Sequence, residues 1–237
     1  LAKNKKKSKK VNVVELEGIN DRRLIQNIDH GEYKKLIPVF LEQALNADGD
    51  RLKTTLTGLY MKQYLLHEIY DALVLPVMKL IGDMWANNDI SIAEEHLATN
   101  TIRNAVNSLG ETLERKDYKD NSYLLCLALS GDEHDLPLIM TKQILELNGI
   151  PVINCGPNTP ANSIEKLLIK FQPDKIIVSL TYIENIQLAK QELNHLFEIV
   201  SDRHLTIYIG GSNFTYLSEK QYNKAKILYS MSDVFQI

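Results

Sequence analysis

The chain has 237 residues, a formal net charge of −3 and 44% hydrophobic residues, which allows one large domain or two small ones of ordinary globular composition. The slightly acidic balance excludes a body that binds nucleic acid by charge alone. No apolar run approaches membrane-spanning length and no signal peptide is recognisable, so no membrane partner is expected. The two cysteines, Cys126 and Cys155, fall in predicted strands and read as reduced core residues of a cytoplasmic protein.

The chain opens at Leu1, not at a methionine, so a fragment or a processed chain is expected. Lys3, Lys5, Lys6, Lys7, Lys9 and Lys10 crowd the first residues. Such a run repels itself and reads as a solvated tail or linker over 1–26, with a nucleic-acid-binding arm as the alternative. A bundle domain is assigned to 27–116, helical in pattern from 32 onward. Tyr33, Leu36, Ile37, Phe40, Leu41, Ala44 and Leu45 form the first apolar stripe. Asp48-Gly49-Asp50 is a turn, with Asp50 expected to cap a helix over 51–59. A third helix is predicted over 63–85 with Ile69, Leu73, Pro76, Val77, Leu80 and Ile81 inward, kinked or broken at Pro76. After the turn Asn87-Asn88-Asp89, Ser91 is the expected N-cap of a fourth helix over 92–114. Four amphipathic helices with short turns imply a compact bundle.

The charged stretch 114–121 joins this bundle to a second domain, 122–237, in which strands and helices alternate. Strands are predicted at 123–130, 151–155, 175–181, 205–209 and 227–230, with helices at 136–148, 163–171, 186–200 and 219–224. This order implies right-handed crossovers and a parallel, Rossmann-like sheet. The first strand empties into Gly131-Asp132-Glu133-His134-Asp135-Leu136-Pro137. That sets an imidazole at the carboxyl edge, where open α/β sheets bind ligands. Asp132 is placed to accept the proton of one ring nitrogen and leave the other as a metal donor. The alternative is a loop Asp-His pair that only caps the next helix.

The turn resembles the Asp-x-His-x-x-Gly signature of cobalamin-binding domains, in which the histidine replaces the cofactor's own base as lower axial ligand of cobalt. Two further marks of those domains follow in order. Ser179 ends the third strand, and Gly210 and Gly211 end the fourth. Small residues there allow close backbone approach of a nucleotide tail.

Within the bundle, Trp85 is the only tryptophan, and nine residues separate it from Glu95-His96. Alone, Trp85 is as well read as core, and Glu94-Glu95-His96 as a solvated first turn suited to the helix dipole. With the Asp-x-His domain downstream, Trp-x9-Glu-His resembles the bundle of cobalamin-binding MerR-type transcriptional regulators, which include photoreceptors that sense light through adenosylcobalamin. The stretch 90–99 is similar to that family too, and the resemblance runs from about residue 27 nearly to the end. It implies Trp85 as a lid on the upper corrin face, Glu95 and His96 as adenosyl contacts, and His134 as cobalt ligand. Three positions depart from the family. Pro137 stands at the signature glycine, Ala86 stands where the light-sensing pattern has a histidine, and the winged-helix DNA-binding domain is absent from these residues.

The expectation is a non-enzymatic adenosylcobalamin sensor region: a four-helix bundle over a Rossmann-like (flavodoxin-like) domain. It would respond to light through cobalt–carbon photolysis and a change of homo-oligomeric state, and reach DNA only through a domain outside this chain. A corrinoid methyl carrier of a methyltransferase system is the alternative, and a scaffold that binds no cofactor is a third reading, suggested by Pro137. No Gly-x-Gly-x-x-Gly, Walker or zinc pattern is present. Ser179 lacks a nucleophile elbow, and His30, His67, His195 and His204 are assigned no role.

Overall fold

The computed structural model describes residues 31–118 and 122–237. The expected lysine-rich tail over 1–26, and the start of the bundle domain at 27–30, lie outside the described residues.

The first half is helical. Helices α1 (Gly31–Leu45) and α2 (Gly49–Met61) are joined by a tight turn in which Asp48, not Asp50, takes the N–H of Arg51. Asp48 stands just outside the helix with a non-helical backbone, as a cap needs, and Asp50 lies already in the first turn. The single helix expected over 63–85 is instead α3 (Leu66–Ile69), a π-helical turn (Tyr70–Val74) and α4 (Leu75–Ala86). Pro76 sits in the first turn of α4, and Leu75 N–H reaches back to Tyr70 O across the widened turn. Proline cannot donate and crowds the carbonyl four residues back, so the break falls before it. Leu80, expected inward, is exposed, while Ile69, Leu73, Val77 and Ile81 are fully buried. Helix α5 (Ile92–Thr112) begins at a capping box in which Ser91 and Glu94 satisfy each other's backbone N–H.

The second half alternates: β1 (Leu124–Ala128), α6 (Leu136–Leu147), β2 (Val152–Gly156), α7 (Glu165–Phe171), β3 (Lys175–Ser179), α8 (Ile186–Ile199), β4 (Thr206–Gly210), α9 (Glu219–Tyr222), β5 (Lys226–Ile227) and α10 (Met231–Phe235). The last strand is shorter than expected and α10 is an addition, capped by Ser230 and Asp233. All five strands are parallel in the order β2-β1-β3-β4-β5, the flavodoxin-like arrangement whose switch point lies between β1 and β3.

Alternation along β1 divides the core. Leu125, Leu127 and Leu129 pack on the α7 and α8 side, while Leu124, Cys126 and Ala128 join a core continuous with the bundle. Both cysteines are free. Side chains tie the halves together. Tyr70 donates its hydroxyl to Gln143 Oε1 on α6, and Gln143 Nε2 donates to Val106 O on α5 at 3.0 Å. Gly110 makes this approach possible, since a Cβ there would lie 2.3 Å from Gln143 Nε2. Asp71, in the π-helical turn, accepts from the N–H groups of Met231 and Ser232 at 2.7 and 2.9 Å and from Ser232 Oγ at 2.8 Å. His67 stacks on Phe235 with centroids 4.3 Å apart. Burial holds its imidazole below the usual range, against an opposite pull from Glu68 and Asp71.

Candidate cofactor site

The loop after β1 closes a turn, Asp132 N–H to Leu129 O at 3.1 Å, through Gly131 at φ +88°, a conformation that favours glycine. The turn drives Asp132 inward, leaving it only 3% exposed. A buried carboxylate is costly unless its oxygens are satisfied, and here they are. Asp132 Oδ1 accepts from His134 N–H at 3.1 Å and lies 2.9 Å from His134 Nδ1. Asp132 Oδ2 accepts from the backbone N–H groups of Thr181 at 2.7 Å and Tyr182 at 3.2 Å, just beyond β3. The carboxylate therefore pins the β1 loop to the β3 loop across the switch point.

With a carboxylate at Nδ1, His134 carries its proton there and keeps Nε2 free as a donor, the arrangement of a metal-ligating imidazole. The ring is half-exposed. The hydrogen bond that the ring donates to Asp132 raises its pKa, burial lowers it, and the charges of Asp132, Glu95 and Asp135 raise it further; the net direction is up. The charge of Glu95 on α5 is among those that act on His134. The Tyr182 ring lies beside the imidazole, with centroids 5.8 Å apart.

Ser179 is buried at the end of β3, its Oγ 2.9 Å from Thr181 Oγ1. No hydrogen bond joins it to Asp132 or His134 among the described residues; Thr181, whose N–H donates to Asp132, stands between them. The two glycines differ. Gly211 has φ +113°, and a Cβ there would lie 2.4 Å from Leu180 O, so the backbone itself demands glycine. A Cβ at Gly210 would meet Leu228 Cβ at an ordinary 3.5 Å, so the protein's own packing leaves that position's smallness unexplained.

The bundle set is arranged differently. Trp85, in the last turn of α4, is 45% exposed, so it is not the core residue a lone tryptophan often is. Glu95 Oε1 accepts from Thr99 Oγ1 at 2.8 Å, and Glu95 Oε2 lies 3.6 Å from His96 Nε2 on a side chain 66% exposed. Glu94, in contrast, is spent on the helix cap. Pro137 occupies the first turn of α6, where its missing N–H costs nothing.

Sequence reasoning missed the backbone of Thr181 and Tyr182, which has no residue-type signature. It also missed Asn158, whose Oδ1 accepts from Gly131 N–H at 3.0 Å and whose N–H donates to Asp132 O at 2.8 Å. The Arg103–Asp135 ion pair, 2.9 Å between α5 and the residue after His134, was also unforeseen.

Two family models, each described as a B12 binding domain, match residues 36–109 and 124–231. The chain is 22% identical over 143 residues to the HTH-type transcriptional repressor CarH of Myxococcus xanthus, a match spanning 60% of this chain and 46% of that protein. It is 26% identical over 113 residues to the HTH-type transcriptional repressor CarA of the same organism, spanning 48% of this chain and 36% of that one. The matches thus take in less than half the length of these curated relatives. The fold is shared with the monomethylamine corrinoid protein of Methanosarcina barkeri, at a TM-score of 0.69 and 15% identity, over 86% of this chain and 96% of that one.

Proposed function

We propose that this chain, which belongs to the family of B12-binding-domain proteins, is the adenosylcobalamin-sensing region of a cytoplasmic bacterial transcriptional regulator. The observation that carries the cofactor assignment is the buried Asp132 carboxylate 2.9 Å from His134 Nδ1, which leaves Nε2 available to a metal. The regulatory assignment draws on homology, at low identity, to two transcriptional repressors.

In this reading His134 would hold the cobalt through Nε2, and Asp132 would fix the tautomer and the ring. Ser179, Gly210 and Gly211 border the nucleotide tail. Trp85 would cover the corrin, and Glu95 and His96 would contact the adenosyl group. The bound cofactor supplies a cobalt–carbon bond that light can break. The chain does no catalysis. Its lid residues recognise one upper group over another, and that differential affinity is what shifts an association equilibrium. Darkness with the adenosyl form favours a higher homo-oligomer, and DNA is reached through a domain outside this chain.

A second reading, a corrinoid methyl carrier, draws on the exposure of Trp85 and His96, which leaves the upper face approachable. The test is incubation with adenosylcobalamin in darkness, followed by visible spectroscopy and by size-exclusion chromatography with light scattering, dark and lit. The sensor reading expects a protein-imidazole spectrum lost in His134→Ala and a dark oligomer that dissociates in light. Equal affinity for the methyl and adenosyl forms, with an oligomeric state indifferent to light, supports the carrier.

A further inference from the structure

We infer that the Arg103–Asp135 ion pair is a positioning strap that sets the gap between the lid residues Glu95 and His96 and the loop carrying His134, and so the size of upper group admitted. The inference rests on the adenosyl reading above.

Asp135 follows His134 directly and occupies the N-cap position of α6, yet its side chain makes no capping bond to that helix. An aspartate there ordinarily accepts from the second or third helical N–H. Instead, Asp135 Oδ2 accepts from Arg103 Nη1 at 2.9 Å. Arg103 is itself held on α5 by donating to Asn100 Oδ1. Glu95, Thr99 and Arg103 recur at four-residue spacing and share one face of α5. Thr99 bridges upward by donating to Glu95 Oε1 at 2.8 Å. The lid carboxylate and the strap therefore sit about 12 Å apart along one helical rod, and the strap binds that rod to the residue beside the metal ligand. No other polar contact of α5 reaches this loop among the described hydrogen bonds. Both partners are about a third exposed, so a change of several-fold, not a collapse, is expected.

The test compares Arg103→Ala, Arg103→Lys and Asp135→Asn in two readouts. In the unliganded protein, amide exchange over 131–136 should quicken about tenfold in Arg103→Ala and Asp135→Asn and be largely restored in Arg103→Lys. In equilibrium binding, the ratio of methylcobalamin to adenosylcobalamin Kd should fall about fivefold in Arg103→Ala, with methylcobalamin affinity little changed, and recover in Arg103→Lys. Unaltered loop exchange in both charge-removing variants overturns the strap, whatever the cofactor. A selectivity that survives both of them, or a parallel loss of affinity for both cofactors, overturns its role in selectivity and leaves the adenosyl reading standing. Equal affinity of the unaltered protein for the two cofactors refutes that reading, and this inference with it. If Arg103→Ala fails to fold, Asp135→Asn carries the same test.

Discussion

Below the site, at the sheet edge, Asp132 is buried and meets four hydrogen-bonding partners from two loops. In the bundle, Trp85 is 45% exposed and the His96 side chain 66% exposed, and Glu95 is held by Thr99 within α5. The lower half is assembled before any ligand arrives, so its order is not charged against binding. On the proposed reading the bundle residues would gain their partners only on occupancy, and could then discriminate between ligands at little cost to the fold. Stability should accordingly reside in one half and selectivity in the other.

The largest expected effect is Gly211→Ala. The added methyl meets the Leu180 backbone in a left-handed conformation, which should cost about 3 kcal/mol or more, read as a fall in the unfolding midpoint. Asp132→Ala comes next. It strands three loop N–H groups and the imidazole, and should cost about 2–3 kcal/mol in denaturant unfolding while also weakening cobalamin binding. His134→Ala separates the two properties. It should leave stability within about 1 kcal/mol, because the ring is half-exposed, yet weaken cobalamin about tenfold or more and remove the protein-imidazole spectrum. Loss of stability without loss of affinity would make this loop a structural brace between β1 and β3 and nothing more.

On the lid side, Glu95→Ala and His96→Ala should move the unfolding midpoint by no more than about 0.5 kcal/mol equivalent. They should also erode the preference for adenosylcobalamin over methylcobalamin about tenfold. A large stability loss there would erase the contrast between the halves. The smallest effect is expected at the bundle's far end. Burial lowers the pKa of His67 from the ordinary 6.5. The unfolded chain then takes up this proton first, so unliganded stability falls as pH drops below about 6.5 and levels off once the folded histidine titrates. His67→Phe, which keeps a ring against Phe235, should flatten that part of the profile in urea titrations at stepped pH.

Much of this was legible in the chain. Period and turn chemistry gave both halves, the parallel sheet and the Ser91 cap, because each rests on local residue pattern. The Asp-x-His turn announced its geometry because a two-residue spacing leaves few alternatives. The π-helical turn was hidden because widening a helix has no side-chain signature, and Pro76 marked only that something must give. The cap at Asp48, not Asp50, turned on one residue of register. Thr181 and Tyr182 act through backbone N–H groups that any residue supplies. Arg103 and Asp135 lie 32 positions apart and meet only because α5 packs beside α6.

The most direct test of His134 as cobalt ligand is electron paramagnetic resonance of the reduced, paramagnetic cobalamin complex, made with ordinary and with 15N-histidine-labelled protein. The account predicts nitrogen splittings that change on labelling and vanish in His134→Ala. Splittings indifferent to the label, and unchanged in that variant, would mean that the cofactor keeps its own base and would contradict the account.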